Sequence, residues 1–131
     1  MRFKTREIIK ELEEHINSSY SLPIFQGYKA VNKSGVVKLI DELYVYLPDD
    51  VKRARDFLRN GDYDFDSVAK NNSNIYDILQ MFEAYLENSS FIMPFFIPQI
   101  IIIKVKEIEE FLDRIEKDLP SEIQKVENLD K

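Results

Sequence analysis

Two nine-residue stretches, "NSSYSLPIF" (Asn17–Phe25) and "NSSFIMPFF" (Asn88–Phe96), share five identical residues, and three of their four differences keep apolar or aromatic character. The match continues on both sides. Upstream, Ile8, Ile9, Leu12, Glu13 and Ile16 line up with Ile78, Leu79, Phe82, Glu83 and Leu86, with one residue of slippage. Downstream, after a further one-residue shift, Val36, Leu39, Ile40, Asp41, Leu43, Leu47, Pro48 and Val51 line up with Ile108, Phe111, Leu112, Asp113, Ile115, Leu119, Pro120 and Ile123. The same apolar spacing held over roughly 45 positions marks an internal duplication, and a chain made of two like units has few ways to fold. The units span residues 5–59 and 75–129, joined by a turn-rich linker over 60–74.

Each unit reads as helix, extended pair, helix, short helix. In the first, Ile8, Ile9, Leu12 and Ile16 form one stripe of a helix over about Arg6–Asn17, with Thr5 as its N-cap. Asn17, Ser18 and Ser19 end it, because their side chains compete for backbone hydrogen bonds. Residues Ser21–Asn32 are extended, with Gly27 at a turn. Ser34 is placed to cap a second helix whose Val36, Leu39, Ile40, Leu43 and Leu47 recur at helical spacing. "LPDD" and "LPSE" are each expected to break that helix and open another, since proline suits a first helical turn. Gly61 reads as a helix C-cap.

The apolar run Phe91–Val105 is interrupted only by Pro94, Pro98, Gln99 and Lys104. A spanning helix needs about 20 apolar residues, and this run is shorter and carries two prolines. Ile100–Ile103 are β-branched and favour a strand. A continuous apolar strand is expected where both faces are buried, so the run reads as the central strand, entered through a tight connection at Pro98-Gln99. At the corresponding place the first unit has the more polar "GYKAVNK". The expected fold is therefore a single α+β domain over 1–131, mostly helical. Its two units pack about a pseudo-twofold axis, with a small shared sheet covered by helices. The competing arrangement leaves Ile100–Ile103 on an open face used to dimerise.

Composition narrows the function classes. A chain of 131 residues is one domain by length. The net charge is −6, with +2 in residues 1–60 and −8 in residues 61–131. Phosphate neutralisation dominates nucleic-acid affinity and attraction to anionic lipid, so neither partner is expected. There is no cysteine, which removes disulfides and thiolate chemistry and fits a reducing cytoplasm. The N-terminal residues carry acids and lack the apolar stretch of a secretory signal, and the expected location is cytoplasmic.

Residues with chemistry of their own are few. His15 is the one histidine, at the end of the first helix, without a second His or Cys for a usual metal site. Asp62, Asp64 and Asp66 have the opening spacing of an EF-hand loop, but Ser67 and Ser73 stand where Gly and Glu belong. Glu13-Glu14 and the acids of "KEIEEF" are adjacent on helices rather than facing across a cleft. No phosphate-binding or nucleophile-elbow motif is present among the three glycines, so neither cofactor nor catalytic residue is nominated. Tyr44 and Tyr46 flank an apolar stripe and are the candidates for a contact rim.

The stretch "LPIFQGYKAVNKSGVVKLIDELYVYLPDDVKRARDFL" resembles the N-terminal head of small bacterial helical proteins described as DivIVA-like or ATP-synthase-stalk-like. The resemblance covers residues 5–59 through Pro23, Gly27, Lys29, the Leu39–Leu43 helix and Leu47–Arg55. It implies a bacterial, non-enzymatic association role, but the second unit begins where those proteins carry a long tail. The expectation is therefore a protein–protein association module, self-associating or adaptor-binding, with Tyr44, Tyr46 and Ile100, Ile101, Ile102 and Ile103 as contact residues. The alternative is a small apolar ligand held between the units by Phe95, Phe96 and Ile100–Ile103.

Overall fold

The computed structural model describes residues 1–61, 63, 73–89 and 100–129. Among them lie five helices and a three-stranded antiparallel sheet, a mostly helical α+β fold. Helix α1 (Lys4–Asn17) leads into strands β1 (Tyr20–Ser21) and β2 (Tyr28–Asn32). Helix α2 (Lys33–Asn60) follows, then α3 (Ile75–Asn88), strand β3 (Ile100–Lys104), α4 (Val105–Lys117) and α5 (Ser121–Leu129).

Helix α1 starts two residues before the expected Arg6, and Phe3 rather than Thr5 is its N-cap. Thr5 lies inside the first turn, fully buried, and its N–H donates to Asp50 Oδ2 at 2.7 Å. A carboxylate from α2 thus satisfies a donor that a local cap would otherwise take. At the other end Ser18 is the C-cap, and Lys29 Nζ donates to the Ile16 and Asn17 carbonyls at 3.1 and 2.9 Å. The expected helix end is there, and a lysine from β2 completes it.

Gly27 takes φ +85° at the β1–β2 turn, a conformation costly for a residue with a Cβ. Strand β2 then runs into α2 without a loop. The cap is Asn32, not Ser34: Asn32 Oδ1 accepts from Gly35 N at 3.3 Å, while Ser34 Oγ donates to the same oxygen at 2.7 Å. Asn32 keeps an extended backbone (ψ 107°), so one residue closes the strand and caps the helix.

Pro48 does not break α2, contrary to the sequence expectation. Buried Leu43, Leu47, Asp50, Ala54 and Leu58 hold both halves of this 28-residue helix on the core, which outweighs the lost hydrogen bond. Pro120 does separate α4 from α5. There Gln124 Nε2 donates to the Leu119 and Lys117 carbonyls at 2.6 and 3.2 Å, satisfying groups left open by the break. Gly61 is the C-cap of α2 as expected, though with φ −88° rather than a left-handed conformation. Within the expected linker, Ser73 is tied down: its Oγ donates to the Asp118 carbonyl and accepts from Ile75 N at 3.2 Å.

The strand order is β1-β2-β3, with β2 pairing antiparallel to both neighbours. The isoleucine run is a strand, but among the described residues β2 occupies the centre. Its burial alternates: Ile101 and Ile103 are buried, while Ile100 and Ile102 are only half-buried. Four β-branched residues in a row thus serve strand propensity rather than burial on both faces. The segment Phe95–Ile97 and the Pro98-Gln99 connection lie outside the described residues. The core joins Ile8, Ile9, Leu12 and Ile16 of α1 to Ile40, Leu43 and Leu47 of α2, Phe82 of α3, Ile101 and Ile103 of β3 and Ile115 of α4. No helix among the described residues is long and apolar enough to cross a membrane.

Candidate interaction surface

Residues paired across a ladder point to the same side of a sheet, so the register sorts side chains by face. Ser21↔Lys29↔Ile103 and Val31↔Ile101 face the helices, as the burial of Val31, Ile101 and Ile103 and the Lys29 contacts with α1 require. The opposite face carries Tyr20↔Ala30↔Ile102 as a row across all three strands, flanked by Tyr28 opposite Lys104 and Asn32 opposite Ile100. Apart from Asn32 and Lys104 at two corners, that outer face is apolar or aromatic.

The β1–β2 turn beside it is also apolar and exposed. Ile24 is 84% exposed and Phe25 62%, with Tyr20 at 66% and Tyr28 at 38%. Pro23 and Gly27 fix the chain around them, so this turn holds large apolar groups in solvent by construction. Sequence reasoning treated Ser21–Asn32 as scaffold and missed these residues. The available signal was Ile24-Phe25 set between Pro23 and Gly27, where turns ordinarily carry small polar residues.

The expected contact residues divide differently. Tyr44 and Tyr46 are half-buried and pack against the core on opposite flanks of α2. Tyr44 stacks on Tyr76 of α3 with ring centroids 6.0 Å apart, and burial raises the phenol pKa of both. Tyr46 receives Lys4 Nζ 5.7 Å above its ring. The fold does not bring the two tyrosines together, and of the isoleucines only Ile100 and Ile102 join the outer face. Phe95 and Phe96 lie outside the described residues, as do Asp62, Asp64 and Asp66.

The clefts among the described residues are lined by helix side chains. One of about 290 Å³ is bounded by Tyr85, Glu107, Glu110, Phe111 and Arg114. Burial raises the Tyr85 pKa there, and its hydroxyl accepts from Lys104 N at 3.2 Å. A second, about 470 Å³, includes Glu11, Glu14 and His15. Gly35 closes over the imidazole so tightly that a Cβ at position 35 would stand 2.6 Å from His15 Cε1. His15 thus packs against the start of α2. No group of three or more His, Asp or Glu among the described residues is placed to hold a metal ion.

The seam between α1, α4 and α5 gathers acids around one guanidinium. Arg6 pairs bidentately with Glu127, both contacts at 3.0 Å, and lies 3.8 Å from Glu116. Glu13 shares a hydrogen bond with Glu116, and that bond, with burial and the Glu116 charge, pushes the Glu13 carboxyl up to about 7. Arg6 opposes the shift and Asp113 adds to it. This arrangement binds three helices together. Arg6, Glu116 and Glu127 also border an open cleft of about 480 Å³ with Gln124 and Asn128. Comparison with known protein families, curated proteins and solved structures finds no match to this chain.

Proposed function

We propose that the chain is a non-enzymatic association module whose contact surface is the outer face of the sheet together with the β1–β2 turn. The observation that carries this is the exposure of Tyr20, Ile24, Phe25 and Tyr28 on one hairpin, whose Tyr20 and Tyr28 share a sheet face with Ile100 and Ile102. Contiguous exposed apolar surface of this kind marks interaction sites on soluble proteins. Tyr20 and Tyr28 on this surface, with charge only at its Lys104 corner, match the aromatic enrichment and charge depletion of protein interfaces.

The same reading treats the chain as two like units about a pseudo-twofold axis. Three features support it. Helices α1 and α3 are both 14 residues long, and β2 and β3 are both five-residue strands that enter a helix without a loop. The antiparallel ladder also pairs Ala30 with Ile102, the residues that the downstream repeat alignment makes equivalent. Finally, the acids after the repeated proline, Asp50 and Glu122, are both buried. The resemblance of residues 5–59 to bacterial association heads points the same way, without carrying the reading.

The test is a pair of charge insertions on fully accessible positions, Ile24→Asp and Phe25→Asp. Both variants are expected to keep the wild-type circular dichroism, since neither side chain is in the core. Both are expected to lose binding of an apolar dye and any concentration-dependent association. Unchanged dye binding and unchanged apparent mass would sink the proposal.

A further inference from the structure

We propose that the division of charge between the two units is a pairing code: the first unit accepts a second unit, from its own chain or another, and rejects a copy of itself. The inference rests on the two-unit reading above. The β2–β3 ladder alone would not make that choice. Tyr28 lies opposite Lys104, Ala30 opposite Ile102 and Asn32 opposite Ile100, and the downstream alignment makes Ile100, Ile102 and Lys104 the equivalents of Tyr28, Ala30 and Asn32. Each strand therefore meets the other in the register in which it would meet its own copy across a two-fold axis. Like-with-like pairing would oppose no like charges in the ladder, since Lys29 would face Val31 and Lys104 would face Ile100.

The helices around the sheet make it. Arg6 lies 3.0 Å from Glu127 and 3.8 Å from Glu116, Lys33 is 2.9 Å from Glu87, and Arg55 is 3.1 Å from Glu122. In each of these pairs the cation belongs to the first unit and the acid to the second. The same alignment puts Arg55 at the position of Glu127. In a pair of first units Arg6 would therefore meet Arg55, and in a pair of second units Glu127 would meet Glu122. Glu122 is buried, where an opposed like charge is most costly. Repulsion in both wrong pairings, with attraction in the right one, is how an interface gains specificity.

The test refolds two full-length chains together from denaturant, both with Phe25→Asp so that the hairpin surface does not contribute. One carries Ala30→Cys, Arg6→Glu and Arg55→Glu; the other carries Ile102→Cys, Glu122→Arg and Glu127→Arg. Each chain alone opposes like charges between its units, and only the mixture restores opposite charges at both seams. Val105 N donates to Gly27 O at 2.8 Å, and bonded pairs alternate along an antiparallel ladder, so Ala30 and Ile102 form a non-bonded pair close enough for a disulfide. The chain has no cysteine of its own, so that disulfide reports the first unit of one chain paired with the second unit of the other. Its yield is expected to be roughly tenfold higher than from the same two cysteine chains without the charge reversals, one decade in the pairing constant. Equal yields would overturn the code, as would a disulfide joining two position-30 thiols. A mass of two chains without any disulfide would overturn the two-unit register and the inference with it.

Discussion

Asp50 is 2% exposed and accepts the Thr5 N–H at 2.7 Å, with Arg53 Nη1 3.4 Å from its other oxygen. Asp50→Ala strands that N–H in the core and is expected to lower stability by about 1–3 kcal/mol in chemical denaturation. Thr5 is the counter-case: its Oγ1 is buried without a hydrogen-bond partner, and the repeat alignment puts Ile75 at the equivalent position. Thr5→Val keeps the shape, removes the orphan hydroxyl and is expected to raise the melting temperature. Glu13 supplies a pH dependence with a definite sign. Its folded carboxyl is held near 7, above the ordinary 4.5, so the folded chain keeps a proton that the unfolded chain releases. Its stabilising effect is full below the unfolded value and is lost as pH rises through about 7. Glu13→Gln is expected to flatten the fall in melting temperature between about pH 5 and pH 8; an unchanged slope would remove Glu13 from the account. At this scale the sequence was least legible. Thr5 and Ser34 look like caps by residue type, but a buried carboxylate 45 positions away and the last residue of a strand took those roles, and residue type alone carries no tertiary partner.

Among the elements, the isoleucine strand separates two meanings of an apolar run. Its strand character was readable from β-branching; its burial was not, because four identical residues erase the alternation that reports which face is inside. Register restores it. Ile103→Asp places an unpaired charge in the core and is expected to abolish folding, whereas Ile102→Asp, on the outer face, is expected to leave a folded chain with weakened association. Circular dichroism on the pair checks this; equal loss of structure in both would mean the face assignment is wrong. Pro48 makes the complementary point. Both prolines looked like helix stops, yet only Pro120 acts as one, because buried residues on either side of Pro48 hold α2 on the core. Pro48→Ala restores a missing donor and is expected to raise the melting temperature; a decrease would show that the packing of α2 depends on the proline.

For the molecule as a whole, the apolar spacing and the β-branched run were enough to anticipate a mostly helical α+β fold around a small antiparallel sheet. The exposure of Ile24 and Phe25 was not anticipated, since residue type alone does not tell an apolar pair in the core from one held out at a turn. The central claim is that the exposed apolar hairpin is an association surface. Solution mass by light scattering over a concentration series tests it most directly. The account predicts a rise from the 15.5 kDa monomer toward twice that mass, with the Phe25→Asp variant remaining at 15.5 kDa throughout. A wild-type chain that stays at 15.5 kDa at every concentration, and binds an apolar dye no better than Phe25→Asp, would contradict it.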